Sequence, residues 1–389
     1  MKLRQKPEDF IVNEILEYKL VDYGNYSLYR LKKLGIENLA AISYISKNFK
    51  IPLNDIGYCG LKDRHAITTQ YITIPNEYGR ISLDEENLTL EYVGTIEKPL
   101  KIGELFGNSF EIVARNIDKN DFLKFAENID TLKDGIPNYF DEQRFGSVFN
   151  GKFIIKEIIN ENYESAVKIL LTNYTKSEKK SLKDLKRFIA KNWGNWDACI
   201  KYIEKKQITS KMFKNMIKSL KYENDFKKSF YYVDNRLKEL FISAYQSYIW
   251  NECLKEILKE KLQKDDRKYI DYSCGTFLFY KNLEKDVFED IAKIEFPTIA
   301  IDKEYEEFEN RIINSVLKKE RIKIADFKKI TFGKLKYSKR PIISIPKNVE
   351  IGNFKSDELN IKKYKLNLKF TLNKGSYATM VVKKIFETF

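Results

Sequence analysis

The hydrophobic pattern of this chain changes period twice, and that change constrains the architecture more than any single motif. Near the end, "KLNLKFTL" alternates Leu366, Leu368, Phe370 and Leu372 with polar partners, the period of two expected of a half-buried strand. "KGSYATMVVKKIF" then predicts a closing helix with Ser376 as its N-cap. The first 150 residues share this mixed texture. "DFIVNEI", "YSLYRLKKL", "TTQYITIP", "NLTLEYVGTI" and "NSFEIVARN" read as strands, and "DFLKFAENIDTL" reads as a helix. A further helix is predicted over residues 38–49, where Leu39, Ile42, Ile45 and Phe49 recur at helical spacing.

From about residue 155 the period becomes helical. In "KSEKKSLKDLKRFIAKNW", residues 176–193, Leu182, Leu185, Ile189 and Trp193 share one face and basic residues occupy the other. Such a helix fits a solvated charged face over a core, with an RNA-facing helix as the alternative. Residues 235–262 predict the strongest helix, burying Leu237, Leu240, Phe241, Ala244, Tyr245, Tyr248 and Ile249. Strand-rich ends around a helical middle imply one sheet domain, residues 1–155 and 341–389, carrying a large insertion, residues 156–340. At 389 residues the chain is long enough to give each its own core.

Charge narrows the class of partner. Lysine and arginine outnumber aspartate and glutamate by 70 to 56, a net +14, which attracts polyanions such as nucleic acid. Aromatic residues make up 14%, enough to fill cores and to offer rings to unstacked bases. Four scattered cysteines without a CxxC pair, and one histidine, give no Cys/His metal site of standard spacing. Few thiols, a charged start and no apolar run of about 18 residues lead to the expectation of a cytoplasmic protein without a membrane span.

Chemistry concentrates in "GLKDRHAITTQ", residues 60–70, where Asp63 sits between Lys62 and Arg64 in a short strand-to-strand connection. An ionised carboxylate there can attack or shield an electron-poor carbon, take a proton or bind a metal. No second acid lies in the loop to share a metal, and Asp9, Glu14 and Glu142 are distant candidates for a glycosidase pair. On its own "KDR" fits a solvated turn as well as a catalytic loop. The chain has no GxxxxGK[ST] loop, no GxGxxG after a strand and no GxSxG elbow.

Five strings in order, "KPEDFIVNEI", "GLKDRHAITTQ", "LFGNSFEIVAR", "GIPNYFDEQRFG" and "GSYATMVV", resemble the TruD family of tRNA pseudouridine synthases across almost the whole chain. The resemblance implies an α+β fold: a pseudouridine-synthase-type mixed, mainly antiparallel sheet domain with a large helix-rich α/β insertion. It implies an isomerase that converts a uridine of tRNA, typically position 13, to pseudouridine without cofactor or metal. Asp63 falls on the catalytic aspartate, Phe10 and Asn138 on active-site positions, and Phe140 on the aromatic that stacks on the target base. Arg4 stands where relatives have lysine, and Asp141 where they often have glycine. Lys62, Arg64, Gln143 and Arg144 are expected to hold substrate or brace the site. A monomer acting on tRNA is the expectation, with a non-catalytic RNA-binding protein of the same fold as the alternative.

Overall fold

The computed structural model describes residues 1–149, 151–175 and 178–387. They form two compact units, one of Met1–Asn138 completed by the stretch from Ile343 onward, the other Tyr139–Ile342. The chain crosses between units at Asn138 and Tyr139 and returns at Ile342 and Ile343, where sequence texture suggested 155 and 341.

In the first unit, β1 (Phe10–Ile15), β2 (Tyr26–Leu34), β3 (Gly57–Tyr58), β4 (Ile67–Pro75), β5 (Leu83–Glu85), β6 (Leu88–Ile96) and β7 (Gly107–Ile117) share a ten-stranded sheet with three later strands. Its order is β5-β6-β2-β4-β1-β7, then Tyr364–Asn373 and Lys347–Ile351; β3 pairs with β4, and Lys355–Ser356 pairs with Tyr364–Asn373. The pairing of β1 with β4 is parallel and the others are antiparallel. This is the mixed, mainly antiparallel sheet expected.

Period two decides which side chains enter the core. Leu366, Leu368, Phe370 and Leu372 are all buried, each contributing about 1.5–3 kcal/mol relative to exposure. Helix α1 (Asn38–Asn48) lays Ala41, Ile42 and Ile45 into a cluster with Tyr29, Leu31, Ile72, Ile74 and Leu90. Helix α2 (Lys119–Asn128) is capped by Asp118, whose side chain accepts from the N–H groups of Asn120 and Asp121. Its Phe125 meets Phe386 of the closing helix Ala378–Phe386 at 5.7 Å. That helix is capped by Tyr377 rather than by Ser376. The Ser376 N–H donates to the Asn373 carbonyl, and Gly375 takes φ +80°, so a turn occupies the position predicted for the cap.

The second unit is the helix-rich α/β part. It contains α3 (Ile154–Ile159), α4 (Tyr163–Thr172), α5 (Lys180–Lys191), α6 (Trp196–Lys205), α7 (Lys211–Glu223), α8 (Phe226–Tyr231) and α9 (Asn235–Lys261). A hairpin of Arg267–Tyr272 and Gly275–Tyr280, and the pair Glu295–Pro297 with Lys339–Pro341, supply its strands. The first residues predicted for the α5 helix, 176 and 177, lie outside the described residues, and α5 begins at Lys180. Helix α9 buries Phe241, Tyr245, Ile249, Trp250, Cys253, Leu254, Ile257 and Leu258. Of the residues expected inside, Leu237 and Tyr248 are half-buried and Leu240 is exposed. In the first turn this is because the inward face carries Lys238, which donates to the Tyr231 carbonyl at 3.0 Å.

Candidate active site

Register delivers Asp63 to its neighbours. Because β1 and β4 run parallel with Ile11 opposite Ile67, the loop entering β4 lies beside the chain entering β1. The N-terminal segment is pinned on both sides of Arg4. Lys2 and Arg115 exchange backbone hydrogen bonds at 2.7 and 2.9 Å, and the Arg115 guanidinium donates to Asp9 at 2.8 Å. Arg4 itself takes φ +57°, a left-handed conformation that costs an L-residue about 1–3 kcal/mol. Its guanidinium lies 4.0 Å over the centroid of the buried Phe10 ring and donates from Nη2 to Asp63 Oδ2 at 2.9 Å. The Asp63 side chain remains 37% exposed, so its charge is balanced while the carboxylate stays reachable.

The cations flanking Asp63 in sequence part company in space. Lys62 turns inward, its Nζ donating to Glu14 Oε1 at 2.6 Å, while Glu14 Oε2 accepts the Tyr71 N–H at 2.9 Å. The ammonium and carboxylate are both buried, so this pair fastens the loop to β1 and β4. Arg64 and His65 are exposed.

Two loop supports had not been singled out in the sequence. Lys33 of β2 is 1% exposed and donates to the Asp63 carbonyl at 2.6 Å and to the Ile36 carbonyl at 2.9 Å. Burial pushes its ammonium down to about 8; the charge of Asp63 opposes that shift and Lys62 adds to it. Asn38, the first residue of α1, accepts the Lys62 N–H at 3.3 Å. Alternation in "YSLYRLKKL" held the signal for Lys33, since it has the same parity as the buried Tyr29 and Leu31. Asn38 carried no comparable signal.

Asn138 is buried at the end of the first segment, directly after Ile136–Pro137, which pairs antiparallel with Ile343–Ser344. Gly135 precedes it with φ +69°, and a Cβ there would meet Ile343 Cγ2 at 2.5 Å. Lys384 of the closing helix donates to the Gly135 carbonyl at 3.0 Å.

The remaining candidates belong to the second unit. Asn251 of α9 clasps the backbone of Phe140 from both sides, accepting its N–H at 2.8 Å and donating to its carbonyl at 2.9 Å. The Arg340 guanidinium sits 3.6 Å over the centroid of the Phe140 ring, and Trp250 meets that ring edge-on at 5.6 Å. Arg144 approaches the ring at 5.7 Å and donates through Nε to Ser247 Oγ at 3.1 Å. Gln143 is exposed and Asp141 is buried. Asn251, Trp250 and Arg340 lie far along the chain from Phe140, and no local pattern marks them. Among the described residues no cluster of three or more His, Cys, Asp or Glu is gathered as for a metal, and no helix is long and apolar enough to cross a membrane.

The α+β fold, a mixed sheet carrying a helix-rich insertion, is shared with proteins of the pseudouridine-synthase class. The family model described as tRNA pseudouridine synthase D (TruD) matches residues 1–385. A protein named probable tRNA pseudouridine synthase D 1, from Methanococcus maripaludis, is 72% identical over 386 residues, covering 99% of both chains. A probable tRNA pseudouridine synthase D 2 from Methanocaldococcus jannaschii is 55% identical, covering 99% of this chain and 92% of its own. The crystal structure of a putative TruD from Methanosarcina mazei superposes with a TM-score of 0.71 at 26% identity, over 100% of this chain and 93% of the other. The chain belongs to the tRNA pseudouridine synthase D family. It is accordingly an isomerase, not the non-catalytic alternative.

Proposed function

We propose that this chain converts a uridine of tRNA, at position 13, to pseudouridine, with Asp63 as the catalytic group and no cofactor. The observation that carries the reading is the Asp63 carboxylate, held by Arg4 at 2.9 Å yet still partly open. The reaction breaks the bond from ribose C1′ to N1 of uracil, turns the base and joins C1′ to C5. N1 gains a proton and C5 loses one, so the atoms balance with nothing imported. Asp63 serves the ribose either by attack at C1′ or by removing the 2′ proton to give a glycal; both routes end in the same product.

The first unit carries the chemistry, and Tyr139–Ile342 is the family-specific insertion. Arg4 holds the carboxylate charge, and Phe10 supports Arg4 from below. Lys62 acts through the loop, since its ammonium is occupied by Glu14. Extruding the target nucleotide costs a few kcal/mol, and stacking on an aromatic returns about 1–3 kcal/mol. By the family resemblance Phe140 is the aromatic that stacks on the target base and Asn138 an active-site position. The Phe140 ring is itself buried, with Arg340 over one face, so stacking requires the ring to be uncovered. Arg64, Gln143 and Arg144 meet the RNA around it. The protein works in the cytoplasm as a monomer.

Carbodiimide-dependent primer extension on a tRNA transcript tests the assignment. A new stop at position 13 after incubation is the expected result. A stop elsewhere refutes the position, and release of free uracil would mean a glycosidase.

A further inference from the structure

We infer that the basic faces of α5 and α7 form a docking surface for the phosphate backbone of tRNA. The inference rests on tRNA being the substrate.

Residues 179–228 contain fifteen Lys and Arg against five Asp and Glu. These fifty residues supply +10 of the chain's +14, leaving +4 for the other 339. A lysine-rich composition would spread its excess along the chain. Here the excess is local, and it is ordered. On α5, Lys180, Lys183, Arg187 and Lys191 follow one another at three- and four-residue steps, opposite the buried Leu185 and Ile189. On α7, Lys211, Lys214, Lys218 and Lys221 do the same, opposite the buried Phe213, Met216, Ile217 and Leu220. Each row therefore occupies one helix face.

Rows of like charge at that spacing oppose helix stability by a few tenths of a kcal/mol per pair. Folding alone favours alternating signs. Within the two rows Arg187 pairs with Asp184 at 3.0 Å and Lys221 with Asp197 at 2.6 Å. Beside them Lys186 pairs with Glu178 at 3.0 Å and Lys228 with Glu223 at 3.8 Å, and the segment still keeps its excess of ten positive charges. Lys214 and Lys218 line a small groove against α6, together with Ile200, Ile203 and Glu204. Next to Lys221, whose Nζ is 5.0 Å from its ring centroid, Tyr222 is 73% exposed. A cationic row beside an open ring suits an RNA strand, whose phosphates take the lysines and whose unpaired bases take the ring.

The test measures binding of an unmodified tRNA transcript to full-length protein carrying Asp63→Asn, at several salt concentrations. Binding is read whether or not the protein isomerises anything, so failure here is separable from failure of the catalytic assignment. The triple variant K211Q/K214Q/K218Q is expected to lose about tenfold in affinity. Its log–log salt dependence should become shallower by about 2, at roughly 0.7 per lost phosphate contact. K180Q/K183Q/K191Q on α5 should behave likewise, and K211R/K214R/K218R should match the parent. Unchanged affinity in both Gln triples, weaker binding with an unchanged salt slope, or an Arg triple as weak as the Gln triple would each overturn the proposal.

Discussion

Lys33 stands behind Asp63 as a buried cation whose two hydrogen bonds end on main-chain carbonyls. While charged it makes strong bonds that fix the loop; as an amine it makes weaker ones. Its ordinary value of 10.5 is lowered to about 8 by burial. In the unfolded chain Lys33 keeps its proton until about pH 10.4. Between those values the unfolded state binds more protons, so the Lys33 contribution to stability rises with pH across that window. Activity should move the other way. Single-turnover rates measured from about pH 7 to about pH 9.5 should fall along a limb centred near 8. Lys33→Met should be about tenfold slower or worse at pH 7 and lack that limb; an unchanged limb would reject this role. Asn251 is the counterpart in the second unit. Asn251→Ala removes both hydrogen bonds to the Phe140 backbone, at about 1–3 kcal/mol for each group. Urea denaturation should show that loss as a lower midpoint.

At the scale of elements, alternation in "KLNLKFTL" and "YSLYRLKKL" is a local property, so those strands were legible in sequence, Lys33 included once parity is followed through the charge. The clasp on Phe140 was not legible, because Asn251 and Arg340 reach it only after the second unit has folded. The loop at Asp63 was legible as a motif, whereas the opposite fates of Lys62 and Arg64 depended on Glu14, which β1 supplies from a distant segment. The short pair Ile136–Pro137 and Ile343–Ser344 lies beside both chain crossings, and Gly135 allows its close packing. Gly135→Ala should cost about 1–3 kcal/mol from the glycine-specific positive-φ backbone alone, before the contact with Ile343 is relieved. A melting temperature several degrees lower would register it.

Across the whole molecule, the two units divide the work by texture. The sheet unit holds the accessible Asp63 carboxylate beside buried ion pairs, and the helical unit carries most of the net charge. The change of hydrophobic period announced that division, but the crossing at Asn138 did not follow the texture. Tyr139 bonds to Leu278 and Phe140 to Asn251, contacts that no local pattern encodes. The proposed chemistry rests on Asp63. The most direct test is tritium release from a tRNA transcript labelled at uridine C5, comparing the parent protein with Asp63→Ala. The parent should send one C5 tritium to water per target uridine, and the variant none above background. Release by Asp63→Ala at the parental rate would contradict the account.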